Sequence, residues 1–192
     1  MSEKGSVALS KSDMNDIKKK DALFYVITAA GCFEISLWSS EDLLKSTVIF
    51  LLALILTVIA YVDIKTYTIP DRLTLCMLAI AVITFLPVFD FTGDDIRSRA
   101  AGIFAASLPM IVVNLIAGDC FGGGDIKLIA ACGLMLGTWR IIETLMISLV
   151  AAGVYAAVLL ITHKKTCRQY FAFGPFISFG VMIVVLMQGY RP

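Results

Sequence analysis

Ser46-Thr47-Val48-Ile49-Phe50-Leu51-Leu52-Ala53-Leu54-Ile55-Leu56-Thr57-Val58-Ile59-Ala60-Tyr61-Val62 runs without a charge and then meets Asp63. At about 1.5 Å of rise per residue, a helix of this length nearly crosses the ~30 Å hydrocarbon core of a bilayer. Lipid offers no partner for an open backbone group, so such a run is helical. Outward from it the same pattern recurs to the end of the chain. Of 192 residues 59% are hydrophobic and 16% charged, against roughly 45–50% and 25% in soluble domains. The fold class expected is therefore an all-α polytopic membrane protein with six or seven transmembrane helices and no separate soluble domain. A net charge of +1 gives no reason to expect a nucleic-acid partner.

Residues 1–21 read as a polar cytoplasmic tail ending in Lys18-Lys19-Lys20-Asp21. The apolar run 22–38 is broken by Glu34 and is short for a span, and an interfacial helix fits it as well; with the loop to residue 45 it forms an extra N-terminal element. The membrane domain is read as 46–188. After the opening span, a helix is expected from Asp71 to Phe89, with Pro70 in its first turn, where a missing N–H costs nothing. Residues 100–117 span again, with Pro109 as a kink. A short helix from about Ile126 to Gly137 carries Gly133-x-x-x-Gly137, a spacing that permits close helix contact. Spans at 141–162 and 170–188 complete the chain.

Seven crossings place the tail and the loops 63–72, 118–127 and 163–169 on one side. That side holds Lys4, Lys11, Lys18, Lys19, Lys20, Lys65, Arg72, Lys127, Lys164, Lys165 and Arg168; the other holds Lys45, Arg97, Arg99, Arg140 and Arg191. By the positive-inside rule the first group faces the cytoplasm. If 22–38 does not cross, the tail changes sides but the three loops stay together.

Asp63 and Asp125 therefore share a membrane face. Asp125 follows Gly122-Gly123-Gly124, a run that lets the chain turn sharply and pass close to another backbone. Acids at the edge of lipid are expensive unless buried in protein or wet, and they mark functional sites. Two carboxylates close together share one proton: the ionised member can deprotonate a water, and the protonated one can donate to a developing oxyanion and a leaving amine. The plainer reading is that Asp125 caps the next helix, or that each acid pairs with its neighbour, Asp63 with Lys65 and Asp125 with Lys127. A proton- or ion-coupled transporter could use the same aspartates, although such proteins place broken helices at the midplane and show internal repeats. No repeat is seen. The cysteines Cys32, Cys76, Cys120, Cys132 and Cys167 stand singly, and the lone histidine, His163, lies in a basic loop, so no metal and no cofactor is expected.

Asp63 with Lys65, Ile69-Pro70-Asp71 and Leu73 resembles the first-aspartate motif of the type IV prepilin peptidases, the Gly-x-Gly-Asp aspartic proteases of membranes. Gly122-Gly123-Gly124-Asp125-Ile126-Lys127-Leu128 resembles their second motif, and Phe173-Gly174-Pro175-Phe176 the opening of their last helix. The resemblance covers roughly residues 46–188. It implies an aspartic endopeptidase of the cytoplasmic (inner) membrane that removes a short basic leader from prepilin-like substrates bearing an apolar helix. Asp63 and Asp125 are then the catalytic pair, and Lys65, Ile69, Pro70, Asp71, Asp119, Gly122, Gly123, Gly124, Lys127, Gly174 and Pro175 bind substrate or shape the site. Lys65 and Asp71 stand where the family often has arginine and asparagine. The larger members carry an N-terminal domain with paired cysteines and also methylate the new terminus; this sequence shows no such domain, so a short form without methyltransferase activity is expected. The presenilin-like branch fits less well, because Asp63 follows Val62 rather than tyrosine and no Pro-Ala-Leu occurs.

Overall fold

The computed structural model describes residues 43–85, 95–118, 120–162 and 172–189. Among them it forms six helices and no strand: α1 Leu43–Thr66, α2 Asp71–Ile83, α3 Ile96–Ala117, α4 Gly123–Leu136, α5 Thr138–Ile161 and α6 Gly174–Gly189. The tail, the 22–38 run with Glu34, Asp119, and the basic loop with His163, Lys164, Lys165 and Arg168 lie outside the described residues.

Three helices are long and apolar enough to cross a membrane: α1 from Lys45 to Thr66, α3 and α5. The helices α2 and α4 have 13 and 14 residues, and α6 is a shorter apolar helix, all below the ~20 residues that a straight crossing takes. So length and composition support three crossings among the described residues, where hydropathy alone suggested six or seven over the whole chain. Large apolar side chains such as Phe104, Leu115, Ile116, Val150 and Val154 remain on the outer surface, as lipid-facing helices require.

The centre of the bundle is α4, which packs against α2, α3, α5 and α6, while α1 packs against α6 and α2. Leu128, Ile129, Cys132, Met135 and Leu136 of α4 are all fully buried. Its closest neighbour is α3. A methyl group on Gly102 would run into the Gly133 carbonyl, and one on Gly133 into the Gly102 carbonyl, so two backbones touch here with no side chain between them. The Gly133-x-x-x-Gly137 spacing thus does bring a helix close, with Gly102 as its unforeseen partner. Because backbone cannot swing aside, Gly133→Ala is expected to cost about 1–3 kcal/mol of stability. Thermal unfolding in micelles checks this, and an unchanged midpoint would refute the contact.

Opposite ends of the bundle have different chemistry. At one end Arg99 is buried in the first turns of α3, donating from Nη1 to the Thr84 carbonyl at 3.0 Å and to Thr84 Oγ1 at 3.2 Å. Its guanidinium stands 5.1 Å from the centre of the Phe85 ring. Nearby, Thr138 Oγ1 donates to the Ser98 carbonyl at 2.8 Å. Hydropathy places Arg99 in a loop; α3 begins three residues before it. The other end gathers the last turns of α1 and α3 and the first turns of α2, α4 and α6.

Candidate active site

Asp63 sits in the last turn of α1, not in the loop that hydropathy suggested. The helix runs on to Thr66, and Tyr67 closes it with its N–H on the Asp63 carbonyl at 2.8 Å. Tyr67 itself takes a left-handed backbone, φ 54°. Only 3% of Asp63 is exposed. Its Oδ2 accepts the Gly174 N–H at 2.8 Å, a first-turn donor of α6 that has no partner inside its own helix. Pro175 follows, at a position where the missing N–H is no loss. The Phe173 carbonyl accepts the N–H groups of Phe176 and Ile177 at 3.0 and 3.2 Å. The first and third motifs therefore meet through one hydrogen bond across 111 positions of sequence.

Asp125 lies in the first turn of α4, which starts at Gly123 rather than Ile126, with Gly122 as its N-cap. It is 8% exposed. Its carboxylate faces the Gly122 N–H and lies within electrostatic reach of Asp63. Oδ1 of Asp125 is buried and has no hydrogen-bond donor among the described residues. Asp125 stands at the N-terminus of α4, where the helix dipole favours negative charge; Asp63 faces the N-terminus of α6 but belongs to the C-terminal turn of α1, whose dipole opposes it. The capping reading of Asp125 thus holds in part, through the Gly122 N–H, but it leaves one carboxylate oxygen without a role in the fold.

The neighbour pairs do not form as the plainer reading had them. Lys127 Nζ binds Asp71 Oδ1 at 2.7 Å, joining α4 to α2. Asp63 binds Gly174, and Lys65 Nζ lies 5.4 Å from the centre of the Tyr61 ring. α2 begins at Asp71 as expected, with Pro70 as its N-cap and not inside its first turn, and the Pro70 carbonyl accepts Leu73 N–H at 3.0 Å; α2 stops at Ile83, short of Phe89. Of the three glycines, two are tightly packed: a methyl on Gly124 would lie 3.0 Å from Ile69 Cβ and 3.3 Å from its carbonyl oxygen, and one on Gly122 would lie 3.1 Å from Asp125 Oδ2, while one on Gly123 would meet nothing. Ile69, Pro70, Asp71, Gly122, Gly124, Lys127, Gly174 and Pro175 are thus brought to the same end of the bundle as the two acids, with Gly174 and Gly122 directly against them. An apolar groove of about 500 Å³ between α2, α3 and α4 starts at the Asp71–Lys127 pair and is lined by neither Asp63 nor Asp125.

Asn114 escapes a reading of the sequence. From the last turns of α3 its Nδ2 donates to the Phe121 carbonyl at 2.8 Å, and its Oδ1 accepts the Phe121 N–H at 2.8 Å. The Phe121 ring lies 5.4 Å from that of Phe173. A polar amide near the end of an apolar run, one short loop before a glycine run, is the available signal.

Residues 50–157 match the type IV leader peptidase family. The chain is 29% identical over 139 residues to a prepilin leader peptidase/N-methyltransferase of Pectobacterium carotovorum subsp. carotovorum, covering 71% of this chain and 50% of that protein. It is 29% identical over 133 residues to one from Bacillus subtilis, covering 69% and 52%. For one from Vibrio cholerae the identity is 29% over 176 residues, covering 86% and 67%. The chain thus spans about half the length of the first two relatives. No solved structure matches it.

Proposed function

The chain belongs to the type IV leader peptidase family, and from that premise we propose that it is an aspartic endopeptidase that cleaves prepilin-like precursors with Asp63 and Asp125. The observation that carries this reading is the placement of two nearly buried carboxylates, from segments far apart in sequence, at the same end of an apolar bundle, with one Asp125 oxygen left without a donor. Paired carboxylates of this kind hold one proton between them. The ionised member takes a proton from water as the water oxygen bonds to the scissile carbonyl carbon. The protonated member gives its proton to the carbonyl oxygen. As the tetrahedral carbon collapses, the C–N bond breaks and the amine leaves with the proton the first carboxylate had taken, while the hydroxyl proton of the new acid returns to the pair.

The substrate proposed is a precursor with a short basic leader and an apolar helix, cut at the membrane surface. The chain is proposed to lie in the cytoplasmic membrane with this end toward the cytoplasm, on the basis of the cation distribution. One assay tests activity and sidedness together. Inside-out vesicles carrying the protein should cleave an added precursor at the leader junction, and right-side-out vesicles should not. Cleavage by right-side-out vesicles alone would reverse the orientation, and cleavage by neither would sink the proposal.

A further inference from the structure

We infer that Asn114 is a positioning residue for the aspartate pair: its side-chain amide grips the Phe121 peptide by both groups and so sets where Asp125 stands relative to Asp63. The inference rests on the aspartate-pair reading above. Between the gripped peptide and Asp125 lie Gly122, Gly123 and Gly124, which have no side chains to restrain the backbone, and glycine has the most conformational freedom to lose. The N-terminal start of α4 therefore needs a hold beyond the packing of Ile69 on Gly124. Asn114 supplies it with two bonds of 2.8 Å, from a helix that is itself locked to α4 at Gly102 and Gly133. The two bonds also fix the sense of the amide, since the peptide N–H requires an acceptor and its carbonyl a donor. The next residue, Gly122, presents the N–H that faces Asp125. On its other side Phe121 rests on Phe173, the residue before the Gly174 that binds Asp63. One clamp thus joins the support of both acids.

The unpaired carbonyls at the end of α3 are the nearer partners in sequence for an amide at position 114. Asn114 instead reaches seven residues ahead, past Gly118, whose left-handed backbone has already turned the chain. In an apolar helix flanked by Val113 and Leu115, leucine would be the cheaper residue in lipid. Stability and catalysis should therefore part company on substitution.

Asn114→Leu removes both bonds at similar volume, and Asn114→Asp keeps the acceptor for the Phe121 N–H while losing the donor. A displacement of about 1 Å at a reacting group can cost about a hundredfold in rate. We expect Asn114→Leu to lower kcat about ten- to a hundredfold with KM within about twofold, measured well below its thermal midpoint, which should fall modestly because the Phe121 peptide loses both partners; Asn114→Asp, which sets a carboxylate oxygen against the Phe121 carbonyl, should lower kcat as well. Cys120, exposed in the same loop, should react several-fold faster with a thiol reagent in Asn114→Leu, read by mass spectrometry of its peptide. Native kcat with native Cys120 reactivity would overturn the inference, as would activity loss that merely tracks a lower midpoint. If Asn114→Leu does not accumulate folded, Asn114→Asp decides by the same readouts. Should Asp63→Asn retain activity, the aspartate reading fails, yet Cys120 reactivity still decides whether the clamp holds the loop.

Discussion

Asp63→Asn and Asp125→Asn are each expected to reduce leader cleavage by roughly a thousandfold or more, since general acid–base groups contribute about 10²–10⁴ each and act here as a unit. The amide is nearly isosteric, so folding should survive both changes. The amide introduced by Asp63→Asn would still offer an oxygen to the Gly174 N–H, and at position 125 the change takes away one of two neighbouring carboxylates and so relieves their mutual repulsion. Asp71→Asn is the informative contrast. It breaks the contact with Lys127, but that pair is exposed, with side chains 71% and 59% accessible, and exposed pairs contribute at most about 1 kcal/mol. Its activity should fall only a few-fold. The measurement is single-turnover cleavage of a purified precursor, with thermal unfolding as the control for folding. Retention of a tenth or more of native activity by either aspartate variant, with the fold intact, would remove that residue from the chemistry.

Sequence pattern makes the helical class and both aspartates legible because each leaves a local signature: apolar runs of spanning length, and acids at their ends. Helix ends are read less well, and Asp63 shows why. Hydropathy marks where the chain stops being apolar, whereas the helix stops where its backbone does, four residues later at Thr66. The left-handed backbone of Tyr67 that ends it has no glycine to announce it. At α4 the error has the opposite sign. Glycine weakens helix interiors, so Gly123 and Gly124 read as loop; Ile69 packed against Gly124 overrides that weak preference. Partners remote in sequence are beyond reach altogether. Nothing local says that Lys127 will meet Asp71 rather than Asp125, that Gly102 will face Gly133, or that Asn114 will grip Phe121.

Gly174→Ala is expected to lower kcat about a hundredfold while every ionisable group of the proposed site is retained. A methyl group built on Gly174 would lie 2.8 Å from Asp63 Oδ2 and 3.2 Å from both its Cβ and Cγ, closer than carbon and oxygen normally approach. Asp63 has little room to retreat, being buried between α1 and α6 with Leu56, Ile59 and Ile177 fully buried nearby along the same helices. Either α6 moves off and the 2.8 Å hydrogen bond from Gly174 is lost, or the carboxylate turns away from Asp125. Overpacking of this size costs about 1–3 kcal/mol, which a bundle can survive, but a carboxylate displaced by about 1 Å loses the geometry that proton transfer needs. Gly153→Ala is the matched control, because a methyl there meets nothing within 4 Å and alanine favours the helix; it should leave activity at the native level. Cleavage by Gly174→Ala within about twofold of native would mean that the Gly174 N–H and the position of Asp63 it fixes are not needed for the reaction, and the convergence of the first and third motifs would then be a matter of packing alone.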